Sequence, residues 1–195
     1  MSVPPSDINE SVSLPPHRLK IALLQPHIAP NTGNIARLCV ATGAELHLVR
    51  PLGFVLNDRQ IRRSAMDYWP RLKLTVHDDT DSFFRQISPT FSRDPEGSAS
   101  SPFESQNASI SPHFWLFTSK SNRNMWQADF SDGDTLIFGN ETRGIPDDLL
   151  NRHANCTVRI PQADGERCLN LSTAAGIGLF EALRRLRSKT APRSE

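Results

Sequence analysis

At 195 residues the chain has the length of one globular domain, and its 37% hydrophobic and 22% charged residues are ordinary for such a domain. The net charge of +1 excludes a global basic field that attracts nucleic acid, but it leaves a local basic patch open. The three cysteines, Cys39, Cys156 and Cys168, are odd in number and lack metal spacing, so neither a disulfide framework nor a zinc site is expected. The sequence contains no run of eighteen apolar residues and no export-type segment, which predicts a cytoplasmic protein with no membrane partner.

Strand and helix patterns alternate along the chain. Strands are predicted over 20–26, 44–51, 73–78, 113–119, 135–139 and 156–161. Helices are predicted over 34–43, 57–69, 79–87 and 170–187. Gly43 is the expected C-cap of the first helix, and Asn57 or Asp58 the expected N-cap of the second. This alternation predicts an α/β fold with a mostly parallel sheet and helices on both of its faces.

Three segments fall outside the regular pattern. Residues 1–18 are rich in Pro and Ser and predict a disordered tail, and residues 189–195 predict a disordered C-terminal end. Residues 88–112 are also Ser- and Pro-rich, and a loop of this length is typical of a flexible insertion. We therefore expect a single domain over residues 19–188, interrupted by that insertion.

The first unusual strand-to-helix junction is "PNTGNIAR". Asn31, Gly33 and Asn34 are expected to precede the first helix, with Arg37 one turn inside it. Taken alone, residues 31–34 fit a simple turn and helix cap as well as they fit a ligand site. An arginine on a helix is more often a solvated surface residue than a catalytic one.

Two further junctions carry polar residues that packing alone does not require. "FGNETRGIP" follows the fifth predicted strand and contains Glu141 and Arg143, which could simply pair with each other across a turn. "IPQADGERCLNLS" ends with Asn170 and Ser172, both good helix-capping types. Ligands bind beyond the carboxyl ends of strands in an open α/β sheet, so three such junctions together predict a ligand site.

Other catalytic signatures do not occur in the sequence. It has no GxGxxG, no GxxxxGK[ST] and no GxSxG, which disfavours dinucleotide dehydrogenases, P-loop NTPases and α/β-hydrolases. The six histidines are scattered without metal spacing, so no metal is expected. His47 lies in a predicted strand and Cys39 in a predicted helix, and both are expected to be structural.

These three junctions resemble the motifs of the SPOUT superfamily of RNA methyltransferases, in its SpoU branch of ribose 2'-O-methylases. "PNTGNIARLC", "FGNETRGIP" and "RIPQADGERCLNLS" are similar to the first, second and third motif. "LHLVRPLGF" and "RRSAMDYW" resemble stretches of the branch that methylates the wobble nucleotide of tRNA. The similarity covers residues 20–87 and 113–187.

The resemblance implies a C-terminal deep trefoil knot, a homodimer and S-adenosyl-L-methionine as the cofactor, with S-adenosyl-L-homocysteine as the product. It also implies methyl transfer to the ribose 2'-hydroxyl of nucleotide 34, a cytidine or modified uridine, with the tRNA anticodon stem-loop as partner. Two alternatives remain open at this point. One is 2'-O-methylation of another tRNA or rRNA site, and the other is a non-catalytic RNA-binding member of the fold.

The resemblance also implies which residues hold the cofactor. They are Phe117, Gly139, Gly144, Ile160, Cys168, Leu169 and Ser172. The sequence departs from its relatives at three places. Cys168 replaces a frequent serine, Ser64-Ala65 replaces a common Ala-Gly pair, and Asn140 replaces a frequent proline.

For catalysis the resemblance points to Arg37, Asn31, Glu141 and Asn170. A guanidinium has a pKa above about 12 and no free lone pair, so we expect Arg37 to clamp a substrate phosphate rather than accept a proton. Asn31 and Glu141 are expected to position Arg37 or the hydroxyl, and Asn170 to complete the polar wall.

RNA contacts are expected at the basic segment 57–73. Arg59, Arg62 and Arg63 are the predicted phosphate contacts, and Tyr68 is the predicted stacking residue. The neighbouring Trp69 fits base stacking and core packing equally well.

Overall fold

The computed structural model describes residues 13–56, 66–87 and 113–190. The strands are β1 Lys20–Leu24, β2 Glu45–Val49, β3 Leu74–His77, β4 Phe114–Phe117, β5 Thr135–Phe138 and β6 Thr157–Val158. The α-helices are α1 Ala29–Thr42, α2 Thr80–Ile87, α3 Asp147–Arg152 and α4 Leu171–Thr190. These six strands form one parallel sheet in the order β3-β2-β1-β5-β4-β6, which confirms the predicted α/β class.

The sheet is buried on both faces. Ile21 and Leu23 of β1 belong to the core cluster beneath α1 and α4, whereas Ala22 and Leu24 belong to the cluster beneath α2 and α3. This is the alternation that a strand imposes on successive side chains, and each fully buried Leu or Ile contributes about 1.5–3 kcal/mol. Helices therefore cover both faces, as predicted.

Helix α1 begins earlier than its sequence pattern indicates. It starts at Ala29 rather than at Asn34, so Asn31, expected in the preceding turn, lies in the first helical turn. Pro30 favours this early start, because its φ is fixed near the helical value and its missing N–H has no helical partner to lose. The second reason is tertiary, because the carboxylate of Glu141 accepts backbone N–H groups just before the helix.

The C-terminal end of α1 is as predicted. Gly43 adopts a left-handed φ of 83°, and its N–H donates to the carbonyl of Cys39. This closes the helix at the residue type that tolerates such a conformation best.

Strand β6 is shorter than predicted. It covers two residues rather than 156–161, because Arg159 forms its backbone hydrogen bonds with the segment after β4. The N–H of Arg159 donates to the carbonyl of Arg123, and its carbonyl accepts from the N–H of Met125.

The second predicted helix is described only at its end. Residues 66–71 form a 3-10 helix that contains Pro70, whose ring removes a backbone donor and disfavours an α-helix there. Trp69 packs against the core, which favours the packing interpretation for this residue.

Several predictions lie outside the described residues. They concern the tail up to residue 12, the first part of the second helix with its N-cap, the insertion at 88–112 and the C-terminal end from 191. At the edge of the predicted tail, Arg18 donates to the carboxylate of Asp132 and forms an ion pair with it.

Helix α4 is the longest of the described helices, at 20 residues. Neither it nor another helix in the described parts of the chain is both long and apolar enough to cross a membrane.

Asp134 and the pair His47–His77 are among the buried polar residues of the described chain. Asp134, at the start of β5, accepts hydrogen bonds from the indole N–H of Trp115 and the N–H of Ser131, and burial raises its pKa to about 6. His47 and His77 share a hydrogen bond of 2.9 Å. The pKa of His47 is lowered to about 4, chiefly by burial and to a smaller extent by the neighbouring His77. His47 is thus a buried interior residue, as the sequence predicts, although its Nε2 has no hydrogen-bond partner among the described residues.

Candidate active site

A cavity of about 480 Å³ opens at the carboxyl edge of the sheet, beyond β4 and β5. Its walls come from the segments that follow β4 and β5 and from the segment between β6 and α4. Lining residues include Thr118, Gly139, Glu141, Ile160, Leu169 and Asn170. Both the position and the volume are typical of ligand sites in α/β folds.

The turn after β5 is built by close backbone approach. A Cβ added to Gly139 would lie 2.0 Å from the carbonyl carbon of Gly144, so only glycine fits there. Gly144 adopts a left-handed φ of 69°, and its N–H donates to the carbonyl of Asn140. The side-chain oxygen of Asn140 also accepts from the N–H groups of Thr142 and Arg143, at 2.9 and 2.7 Å. Asn140, where relatives often carry proline, therefore organises this turn through its side chain.

Glu141 joins the second motif to the first. Its carboxylate accepts the backbone N–H groups of His27 and Ile28 at 2.9 and 3.2 Å. It also accepts from the side-chain amide of Asn31 at 3.0 Å. A negative charge at this end of α1 stabilises the N–H groups that no helical carbonyl can accept. The alternative of a Glu141–Arg143 pair is wrong, because the carboxylate is directed to α1.

Asn170 joins the third motif to the first. Its amide donates to the side-chain oxygen of Asn31 at 2.9 Å. The side-chain oxygen of Asn170 accepts hydrogen bonds from the N–H and from the hydroxyl of Ser172. Asn170 therefore caps the start of α4. Asn31 thus binds Glu141 with its amide nitrogen and Asn170 with its oxygen, so one side chain connects all three motifs.

The charge state of Glu141 follows from this network. Burial raises the pKa of the carboxyl, but the hydrogen bonds from Asn31, His27, its own backbone and Ile28 outweigh burial and lower the pKa below its ordinary value. Glu141 is therefore ionised near neutral pH, and its oxygens are occupied by donors.

Arg37 lies on the exposed surface of α1 and is not among the residues that line the cavity. Its guanidinium carbon is 5.2 Å from the ring centre of Tyr68, and that of Arg71 is at the same distance. Tyr68 is half-buried, and its ring faces both cations.

Most predicted cofactor residues meet in the cavity. Six of the seven line it, namely Phe117, Gly139, Gly144, Ile160, Cys168 and Leu169, whereas Ser172 contacts Asn170 instead. Arg59, Arg62 and Arg63 lie outside the described residues.

Sequence reasoning missed Thr118 and Lys120, which line the cavity directly after β4. Their position at the carboxyl end of a strand is the signal that would have identified them. In the described ranges 13–56, 66–87 and 113–190, no group of three or more His, Cys, Asp or Glu residues could hold a metal ion.

The fold and this cavity define an α/β protein that binds a ligand at the carboxyl edge of a parallel sheet. More particularly, the chain belongs to the SpoU rRNA methylase family, whose profile matches residues 18–180. The resemblance that the three motifs indicate is thereby confirmed.

Relatives with curated names cover most of the chain. A tRNA (cytidine(34)-2'-O)-methyltransferase of Burkholderia ambifaria is 38% identical over 165 residues, which cover 84% of this chain and 93% of the relative. An enzyme of the same name from Saccharophagus degradans is 35% identical over 167 residues, covering 85% and 94% of the two chains.

Solved structures are similar over the same region. One described as "Structural insights into the 2-OH methylation of C/U34 on tRNA" has a TM-score of 0.74 and 35% identity, and the match covers 89% of this chain and 99% of that one. An AdoMet-bound rRNA methyltransferase from Sinorhizobium meliloti has a TM-score of 0.68 and 26% identity, with 89% and 59% covered.

Proposed function

We propose that this protein transfers a methyl group from S-adenosyl-L-methionine to the ribose 2'-hydroxyl of the wobble nucleotide, position 34, of tRNA. The observation that carries the proposal is the convergence of the three motifs on Asn31, which binds both Glu141 and Asn170 at the wall of one cavity. Relatives that are 38% and 35% identical to this chain over the matched residues are named for 2'-O-methylation of cytidine 34 in tRNA.

The cavity suits S-adenosyl-L-methionine. Phe117, Ile160 and Leu169 supply apolar walls for the adenine ring, and the tight turn at Gly139 presents backbone groups to the same space. When bound, this cofactor supplies a methyl group on a positively charged sulfur, which is transferred to an oxygen nucleophile. Correct alignment of the two reactants accounts for much of the rate enhancement in such a transfer.

Asn31, Glu141 and Asn170 fix the polar wall of the cavity. Hydrogen bonds join the three side chains directly, which favours a polar wall that is already formed before RNA arrives. Because Glu141 is ionised and accepts from Asn31 and from the backbone N–H groups of His27 and Ile28, we assign it a positioning role rather than proton transfer.

Arg37 acts as the phosphate clamp, reaching the cavity of a partner subunit in a homodimer. Its exposure and its absence from the wall of its own cavity support this assignment. Helix α1 packs beside α4, whose outer face exposes Ile177 and Phe180, the latter at 52%. Such an apolar pair on a surface helix favours burial against a second copy.

The dimer is tested by placing a charge in that face. Phe180→Asp should shift the protein to monomers in analytical ultracentrifugation and should reduce methyl transfer. Gln86→Asp adds the same charge on α2, across the sheet, and should leave the dimer intact. Dimers that persist in Phe180→Asp would contradict this interface.

The C-terminal trefoil knot is also part of the proposal. Strand β6 lies at the sheet edge, yet the chain returns past it so that Asn170 reaches Asn31 and α4 packs on α1 and β5. A crystal structure in which the segment between β6 and α4 threads no loop would contradict the knot.

RNA is gripped by the basic segment 57–73, with Arg59, Arg62 and Arg63 on phosphates and Tyr68 beside the entering loop. The support in the described residues is the grouping of Arg37, Arg71 and Tyr68. Neutralising Arg62 and Arg63 should flatten the salt dependence of tRNA binding, and an unchanged slope would remove this segment from the interface.

The decisive experiment is nucleoside analysis of tRNA incubated with the protein and methyl-labelled cofactor. We expect label in 2'-O-methylcytidine or a 2'-O-methylated uridine at position 34. Label at another nucleotide would change the substrate, and cofactor binding without transfer to any RNA would indicate a non-catalytic member of the family.

A further inference from the structure

A second cavity, of about 380 Å³, lies beside the first. It is enclosed by the segment after β4, by α3 and by the start of β6. Thr118 and Lys120 line both cavities, so they form the divide between them. The proposed reaction leaves this second cavity without a role.

The cations of the second cavity are already engaged. Lys120 forms an ion pair with Asp147. The guanidinium of Arg123 donates to the carbonyl of Asn155 at 3.0 Å and lies 5.9 Å from the ring centre of Trp115. The cavity is therefore not arranged to bind phosphate, which requires cations or N–H groups directed at the ligand.

The cavity is instead rich in side-chain amides. Asn122, Asn151 and Asn155 line it and are exposed. Within the part of the chain that the structure describes, none of these three amides makes a side-chain hydrogen bond. Each offers two N–H donors and one carbonyl acceptor, the pattern that pairs with the edge of a nucleobase.

We infer that the second cavity is a nucleotide subsite, in which these asparagines bind the base next to the methylated nucleotide. The inference rests on the proposed function, because RNA must already place its target ribose beside the cofactor at the first cavity. Unpaired loop nucleotides present their base edges to proteins, so a neighbour of the target can be bound in this way. The subsite would give the enzyme a preference for the sequence around its target.

The informative variant is Asn151→Ala/Asn155→Ala. Neither side chain supports the fold by a hydrogen bond, and the substitution at position 155 would keep the backbone carbonyl that Arg123 binds. The matched control is Gln86→Ala, which removes an exposed amide on α2 that lines neither cavity.

The measurement is the Kd of an anticodon stem-loop, by fluorescence anisotropy with S-adenosyl-L-homocysteine present. Two further stem-loops each carry one abasic nucleotide, on either side of the target, which keeps the phosphate and removes the base. Wild type and the control should bind one abasic loop about tenfold more weakly than the intact loop, as expected when two hydrogen bonds are removed. The double variant should bind the intact loop about tenfold more weakly and lose that discrimination.

Two other results would each contradict the proposed nucleotide subsite. Equal binding of all three loops by wild type shows that no neighbouring base is bound, and unchanged discrimination in the double variant shows that other residues bind it. In both cases methyl transfer by wild type at saturating stem-loop still supports the proposed function. Wild type that neither binds the stem-loops nor methylates tRNA overturns both proposals.

Discussion

Replacement of Glu141 by alanine tests the connection between the second motif and helix α1. In the native protein this carboxylate accepts the N–H groups of His27 and Ile28 and the amide of Asn31. Glu141→Ala leaves the two backbone donors to water and leaves the amide without its partner. The variant should therefore lose stability and should also loosen the wall of the cavity.

The magnitude follows from the kind of hydrogen bond that the substitution removes. Removing an N-terminal helix cap costs about 0.5–2 kcal/mol, and hydrogen bonds to charged groups contribute about 1.5–3 kcal/mol when they are well buried. Glu141 is half-buried and water replaces part of the missing hydrogen bonding, so we expect about 1–2 kcal/mol. For a domain of this size that lowers the Tm by about 3–6 °C.

Urea unfolding measures the change in stability. Calorimetric titration with S-adenosyl-L-homocysteine measures the affinity of the cavity for this ligand. The control is Arg143→Ala in the same turn, whose backbone N–H, not its side chain, is bound by Asn140. That control should unfold within about 0.5 kcal/mol of wild type. A Glu141→Ala protein as stable as the control would refute the capping of α1 by this carboxylate.

The pH dependence supplies an independent check. Because the pKa of Glu141 is lowered in the folded state, its contribution is complete above the ordinary value of 4.5 and is lost as the pH falls through the lowered value. The difference in unfolding free energy between wild type and Glu141→Ala should therefore be constant near pH 7 and shrink in acid. A difference that persists unchanged to about pH 3 would exclude the charge as its source.

Three further outcomes are expected. Arg37→Ala should abolish methyl transfer while S-adenosyl-L-homocysteine affinity stays within a few-fold, and an equal loss of both would contradict the clamp. The pKa of Asp134 is raised to about 6 in the folded state, so protonation of this carboxyl stabilises the fold in acid. This stabilisation is lost as the pH rises from about 4 through 6. Urea unfolding should show the decline in wild type and not in Asp134→Asn. Gly139→Ala should lower the free energy of unfolding by about 3 kcal/mol or more, because the new Cβ would meet backbone at 2.0 Å. In the control Gly176→Ala the new Cβ would meet only the side chain of Leu38, at 3.9 Å. That control should unfold at or above the wild-type urea concentration.

Helix α1 shows where local sequence is informative and where it is not. Its C-terminal end is encoded locally, since Gly43 follows the last helical residue and supplies the left-handed conformation. Its beginning is not encoded locally, since part of the cap is a carboxylate more than a hundred residues further along the chain. The same distinction applies to β6, which ends early because Arg159 forms its backbone hydrogen bonds with a distant segment.

The sequence by itself determined the parallel α/β class, the three polar junctions and the family to which they belong, because strand alternation, glycine turns and motif spacing are local properties of the chain. Only the tertiary structure decided that Asn31 connects Glu141 with Asn170, that Arg37 lies away from its own cavity, and that a second, amide-lined cavity adjoins the first. These facts depend on which distant segments meet in space. Such meetings are set by the order of strands in the sheet and by the packing of helices on it, and no single window of sequence specifies either.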